Sequence, residues 1–364
     1  MSNILKEIKL INKQLDMKLL NFTSPNTLSL LTTYYCTAAC KNCCFECNQE
    51  RRGRMSFKQM KTYISECIKA FPTIRLVVFS GGEFFSLKND LYQAIYYAHK
   101  KGLITRVVTN GYWAVNYEKA LEILELLKEL GLNELNLSTG DDHQKWVPFD
   151  NIVNAIRAAA KVDLSCLVNI ETNPSSQFSE EDFKNHEELQ EYIRDNKVIF
   201  SSGIWIPFDM EDKIKRDTNY NELIKHRYVQ RPIISHGCNS LFESIPIDPE
   251  GNVYACCGLA CRKAKFLKIG NINTAGINKI YTGQFDDFLK VWAYVDGPKF
   301  ILNKIAMETG KNIEINADMH NCEACLLLLN DPSKIEYIKN NISKYISEVI
   351  LKYNIKQKKA NYEK

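Results

Sequence analysis

Cys36-Thr37-Ala38-Ala39-Cys40-Lys41-Asn42-Cys43 (CTAACKNC) is the stretch on which the fold of this chain turns. Three thiolates at CxxxCxxC spacing can hold three irons of a cubane, since iron–sulfur clusters are held by Cys thiolates. The fourth iron then has no ligand from this loop and stays open to a small molecule. A cluster that only carries electrons has all its irons capped, so a three-Cys loop points to chemistry at iron. Zinc and disulfides are the alternatives. Zinc favours CxxC pairs with a distant second pair, and disulfide frameworks belong to small secreted chains.

Working outward, the apolar run Leu76-Val77-Val78-Phe79-Ser80 reads as a buried parallel strand, broken by Gly81-Gly82-Glu83. The two glycines permit a close backbone approach to a ligand, and Glu83 offers a carboxylate for an amine. Thr109-Asn110-Gly111 ends a third strand, Ile104 to Val108, and Ser138 to His143 (STGDDH) ends a fourth, Glu134 to Leu137. In this order and spacing, the motifs over residues 27–207 resemble those of the radical S-adenosylmethionine (radical SAM) enzymes.

That resemblance implies SAM bound to the open iron of a 4Fe–4S cluster held by Cys36, Cys40 and Cys43. Accepting one electron, SAM would release a 5′-deoxyadenosyl radical that takes hydrogen from substrate. It places Glu83 at the SAM amino group, Gly81 and Gly82 at the cofactor through their close backbone approach, and Asn110 and Ser138 near the ribose or carboxylate. The family pattern departs at Asn42, where an aromatic residue is common, and at Gly140, where an acid is common. Either Asp141 replaces that acid or the contact is missing. His143 either touches substrate or SAM or is satisfied by local backbone. Cys44 and Cys47 are either alternative ligands or packing residues, since free Cys behaves as a small hydrophobe.

Composition suits an enzyme with a sizeable core: 364 residues, 45% hydrophobic, and a formal charge of only +4, which gives no nucleic-acid signature. No apolar stretch approaches the roughly 20 residues of a spanning helix, and no signal peptide is visible. Thirteen cysteines without an export signal point to thiols and metal in a reducing cytoplasm. Helices are predicted at 56–71 with Ser56 as N-cap, 91–100, 117–130 and 151–161, and further strands at 27–35, 164–170 and 198–206. Such alternation indicates a parallel sheet with crossover helices. With the resemblance, it becomes an α/β fold: a partial (β/α)6 TIM-like barrel with a small C-terminal iron–sulfur auxiliary domain. The expected divisions are an extension at 1–26, the barrel at 27–230, the auxiliary domain at 231–330 and a basic helix at 331–364. Ligands gather at the carboxyl ends of such strands.

Beyond 230 the pattern changes. Ser244 to Tyr254 reads as a β-hairpin turning near Glu250-Gly251, preceded by Cys238 and followed by Cys256-Cys257, Cys261 and, later, Cys322-Glu323-Ala324-Cys325. Cys238, Cys256, Cys322 and Cys325 form a four-thiolate set that zinc would also accept. Beside a radical SAM barrel the set resembles a SPASM/twitch module, which implies a second, auxiliary 4Fe–4S cluster. Neighbouring residues on a strand face opposite ways, so Cys256 and Cys257 do not readily share one cluster. Either one is the ligand and the other packs, or Cys257 is a hydrogen-atom donor. The whole pattern resembles YydG-type radical SAM peptide epimerases. It implies a peptide substrate, donation from Cys257 to a Cα radical, and an electron donor such as flavodoxin or ferredoxin. The competing readings are a maturase that forms a thioether or carbon–carbon cross-link and a non-catalytic electron-transfer protein. No nucleic-acid or membrane partner is expected. The C-terminal stretch, with apolar spacing at Ile335, Ile338, Ile342, Tyr345 and Val349, is expected to be one packed helix with a lysine-rich end.

Overall fold

The computed structural model describes residues 23–172, 176–204, 206, 236–311, 315 and 319–362. Most of the N-terminal extension, the expected domain boundary at 230 and 231, and residues 363–364 lie outside the described residues. The described residues fall into two compact units. One holds those of 27–228 with 247–250; the other holds 23–26, 236–246 and 251–362.

The first unit alternates strand and helix: β1 (Thr27–Leu31), α1 (Phe57–Ala70), β2 (Leu76–Ser80), α2 (Asn89–Lys100), β3 (Ile104–Thr109), α3 (Tyr117–Glu129), β4 (Glu134–Thr139), α4 (Phe149–Lys161), β5 (Ser165–Thr172), α5 (Glu180–Lys184), α6 (Gln190–Arg194) and β6 (Val198–Ile204). The strands lie in sequential order from β1 to β6, and every neighbouring pair is parallel. This is the open, singly wound sheet of a partial (β/α)6 barrel. The four longer crossover helices, α1 to α4, each bury one apolar stripe. In α1, Met60, Ile64 and Cys67 face the core at helical spacing, and the Ser56–Gln59 capping box starts the helix.

Three strands run past their expected ends, β3 by the one residue Thr109. β4 continues to Thr139, so Ser138 lies within the strand, and β5 continues to Thr172, which brings Glu171 into the sheet. β1, by contrast, stops at Leu31; beyond it only isolated bridges pair Thr33 with Arg54 and Tyr35 with Asn48. The chain opens there because it must turn into the cysteine loop.

The second unit carries β7 (Ser244–Ile247), β8 (Asn252–Tyr254), β9 (Lys268–Asn271), α7 (Ile277–Thr282), α8 (Phe288–Asp296), α9 (Pro298–Thr309), α10 (Asn321–Leu329), α11 (Pro332–Asn340) and α12 (Ile342–Tyr362). The expected hairpin is present, with Gly251 supplying the positive φ of its turn. The single C-terminal helix expected from the apolar spacing is two helices, because the chain breaks at Asn341, the C-cap of α11. Asp296, 2% exposed, ties α12 to α8: it accepts from Trp292 Nε1 at 3.0 Å and pairs with Lys352 Nζ at 2.9 Å. A charge this buried is tolerated only with such partners.

Candidate active site

The cysteine loop is closed at its base by Cys36 N–H donating to Asn48 O at 3.0 Å, and turned within by Cys43 N–H on Cys40 O at 3.2 Å. Cys36 is buried, and its sulfur accepts from Ala38 N at 3.4 Å and from Asn110 Nδ2 at 3.7 Å. Asn110 Nδ2 also donates to Thr37 Oγ1 at 3.0 Å, so the TNG turn grips the first cysteine from β3. Burial, and then Glu83, pushes the Cys36 thiol up to about 12; burial, and then Asp142, raises Cys40. Cys43 goes the other way, down to about 6, chiefly because the Cys47 thiol donates to its sulfur. Cys47, read as an alternative ligand or a packing residue, is thus buried and bonded to a ligand candidate.

The Gly81-Gly82 approach is to the chain's own backbone. A Cβ on Gly82 would meet Tyr35 O at 2.0 Å, and one on Gly81 would meet Thr33 O at 2.6 Å. Gly82 N–H donates to Thr33 O at 2.6 Å and Glu83 N–H to Tyr35 O at 2.8 Å, which docks the GGE turn on the root of the cysteine loop. Glu83 is wholly buried. Its Oε1 accepts from Thr109 Oγ1 at 2.8 Å and Phe85 N at 3.1 Å, and its Oε2 from Asn110 N at 2.9 Å. Burial outweighs these bonds and pushes its pKa up to about 7. A carboxylate has about four acceptor sites, so this one has room for a cation and an electrostatic reason to take it.

The remaining sequence candidates separate. Ser138 is half-buried on β4. Asp141, expected to replace the missing acid at position 140, faces the segment after β5, accepting from Gln177 N at 2.8 Å and Phe178 N at 3.0 Å. Its neighbour Asp142 is the acid that reaches the cysteine loop, accepting from Lys41 N at 2.7 Å. His143 Nδ1 pairs with Glu171 of β5, a residue without a signal in the sequence because the apolar pattern of that strand ends at Ile170.

In the second unit, Cys322 and Cys325 sit three apart in the first turns of α10, on one face of the helix. Cys256 is 6% exposed; burial and then the neighbouring Cys261, Cys238 and Cys325 raise its thiol. A Cβ on Gly258 would lie 2.9 Å from Cys322 Sγ and 3.8 Å from Cys256 Sγ, so the bare glycine keeps open a space bordered by both sulfurs. Cys238 is fixed by its N–H on Ala293 O at 3.0 Å. The structure therefore gathers all four expected auxiliary thiols and adds Cys261, which is buried beside them. Cys257 alone of the group is exposed. Among the described residues no three His, Cys, Asp or Glu side chains converge on a point that would hold a single metal ion. A cubane makes a different demand, one thiolate to each iron.

Two family descriptions match the chain: the radical SAM superfamily over residues 30–197, and the iron–sulfur cluster-binding SPASM domain over residues 238–326. The chain carries a radical SAM domain and a SPASM domain. A curated relative, the putative peptide biosynthesis protein YydG of Bacillus subtilis (strain 168), is 25% identical over 333 residues, 88% of this chain and 98% of the relative. Streptococcus suis SuiB bound to precursor peptide SuiA is 14% identical with a TM-score of 0.45, covering 78% of this chain and 69% of that one. Native anSMEcpe with bound AdoMet is 12% identical with a TM-score of 0.49, covering 89% and 99%. The radical SAM domain binds SAM and a 4Fe–4S cluster, and the SPASM domain binds auxiliary iron–sulfur. The three-cysteine loop lies within the first match, and the four distal cysteines lie within the second. Among the described residues no helix is long and apolar enough to cross a membrane.

Proposed function

We propose that this radical SAM enzyme epimerises L-residues of a ribosomally made peptide to D-residues, with Cys257 as the hydrogen-atom donor. The observation that carries the reading is the contrast between adjacent thiols: Cys256 buried among the auxiliary cysteines, Cys257 exposed. A relative described as a peptide biosynthesis protein over most of both chains supports the substrate class. Cys36, Cys40 and Cys43 hold the SAM-binding cluster in this reading, and Cys238, Cys256, Cys322 and Cys325 the auxiliary one.

When bound, cluster-ligated SAM supplies a carbon-centred radical that takes a hydrogen atom from substrate. The chain's own residues bind and orient it. Glu83 takes the SAM ammonium, a charge-assisted contact that returns the buried carboxyl to its ionised form. Gly81 and Gly82 set Glu83 by docking its turn, and Asn110 and Ser138 stand at the ribose or carboxylate. At the substrate, the Cys257 S–H bond breaks, and its hydrogen atom forms a new Cα–H bond on the face opposite abstraction. The thiyl radical left behind returns to thiol with one electron and one proton, the electron from a low-potential protein donor such as flavodoxin or ferredoxin.

The test is the anaerobic reaction with candidate peptides in heavy water. The expected product carries deuterium at one Cα and shows a D-residue in chiral amino-acid analysis, with otherwise unchanged mass. Cys257→Ala should still form 5′-deoxyadenosine and yield no D-residue. Normal epimerisation by that variant removes Cys257 from the mechanism, and loss of a hydrogen pair from the product assigns the cross-linking reaction instead.

A further inference from the structure

The turn at 140–143 is held by a carboxylate from another strand. Gly140 has φ +136°, and a Cβ there would lie 2.3 Å from Glu171 Cδ and 2.5 Å from Glu171 Oε2. The Glu171 carboxyl thus fills the space a side chain at 140 would need. Its Oε1 accepts from Asp142 N at 2.7 Å and from His143 N at 3.2 Å, while Oε2 meets His143 Nδ1. The Glu171 side chain is only 8% exposed, so these charge-assisted bonds form largely out of water, where they are strongest. Asp142, held by its backbone, extends Oδ2 to Lys41 N at 2.7 Å. Lys41 lies between Cys40 and Cys43.

The two ends of the cysteine loop are anchored differently. Cys36 is buried and gripped by Asn110, whereas Cys40 and Cys43 are half-buried on short turns, with the buried Cys47 thiol bonded to the Cys43 sulfur. Asp142 reaches this second arm from the end of β4. We propose that Glu171 is a positioning residue for the SAM-binding cluster, locking the 140–143 turn so that Asp142 clamps the arm carrying Cys40 and Cys43. The inference rests on the radical SAM reading of that loop.

The test is iron loss from the anaerobically reconstituted holoenzyme to a chelator, followed by the EPR signals of the reduced clusters. The SAM-responsive signal reports the cluster of the barrel, and the unresponsive one reports the auxiliary cluster. A wild-type protein with no SAM-responsive signal would count against the radical SAM reading itself. Given that signal, Glu171→Gln and Asp142→Ala should each speed loss of the SAM-responsive cluster about tenfold, the scale of one charge-assisted hydrogen bond. The double variant should be no faster than either single one, because both break the same clamp. Gly140→Ala, which crowds the Glu171 carboxyl from its seat, should reproduce the effect. In all of them the auxiliary signal should persist as in wild type, which also reports an intact fold. Wild-type rates in Glu171→Gln, multiplicative effects in the double variant, or equal loss of both clusters would each overturn the proposal.

Discussion

Replacing Glu83 by Gln should uncouple SAM binding from pH. Glu83 has no exposed surface, and burial pushes its pKa from 4.5 to about 7 against hydrogen bonds from Asn110, Phe85 and Thr109. A SAM ammonium beside it favours the carboxylate, so binding draws on the ionised fraction. That fraction falls about tenfold for each pH unit below the pKa, about 1.4 kcal/mol. SAM affinity should therefore weaken toward a tenfold loss per unit as pH falls below about 7, and level off above about 8. The Gln variant cannot ionise. It should bind about 10- to 100-fold more weakly at pH near 8, from the loss of about 1.5–3 kcal/mol of charge-assisted bonding, and its affinity should not vary with pH. The same shift acts on the SAM-free fold. A folded pKa above the unfolded 4.5 stabilises the protein fully below about 4.5, and that stability is lost as pH rises through about 7, about 3 kcal/mol in all. The assay is SAM titration of the reduced cluster's EPR signal at constant ionic strength. A flat wild-type profile, or a Gln variant with the wild-type slope, would refute the reasoning.

Changing Cys36, Cys40 and Cys43 together to Ala should abolish 5′-deoxyadenosine formation while leaving about half the iron, because the auxiliary thiols lie on other elements. Full iron retention on elemental analysis would remove the three from the cluster. Gly82→Ala would place a Cβ 2.0 Å from the Tyr35 carbonyl oxygen, which no side-chain shift can relieve. It should cost about 2 kcal/mol or more, read as a fall of roughly 4 °C or more in Tm, and an unchanged Tm would count against the docked-turn geometry.

Much of this fold was legible because its signals are local. Ser56 caps α1, with Gln59 completing the box three residues on, and the apolar runs of β2 and β3 end at their glycine and asparagine turns. The strand ends were less legible. Glu171 and Thr172 are polar, and apolar patterning stopped β5 at Ile170, hiding the residue that holds the 140–143 turn. Asp141 and Asp142 are identical in type and adjacent, so only their backbone directions show that Asp142 faces the cysteine loop and Asp141 the segment at 177–178. The GGE glycines were recognisable as a close approach, but what they approach is Thr33 to Tyr35. In the C-terminal region, apolar spacing ran unbroken across Asn341, where the chain breaks into two helices.

The sequence by itself determined the thiol inventory, the parallel alternation and the order of motifs along the strand ends, since each depends on residues within a few positions of one another. Only the tertiary structure decided which groups hold those motifs in place. The bond from Lys41 to Asp142 spans 101 positions, and those from the 142–143 turn to Glu171 span 28 and 29. It also decided the burial that raises the pKa of Glu83 and that leaves Cys257 exposed beside a hidden Cys256. Burial and long-range hydrogen bonding depend on what packs around a residue, and no local pattern carries that information.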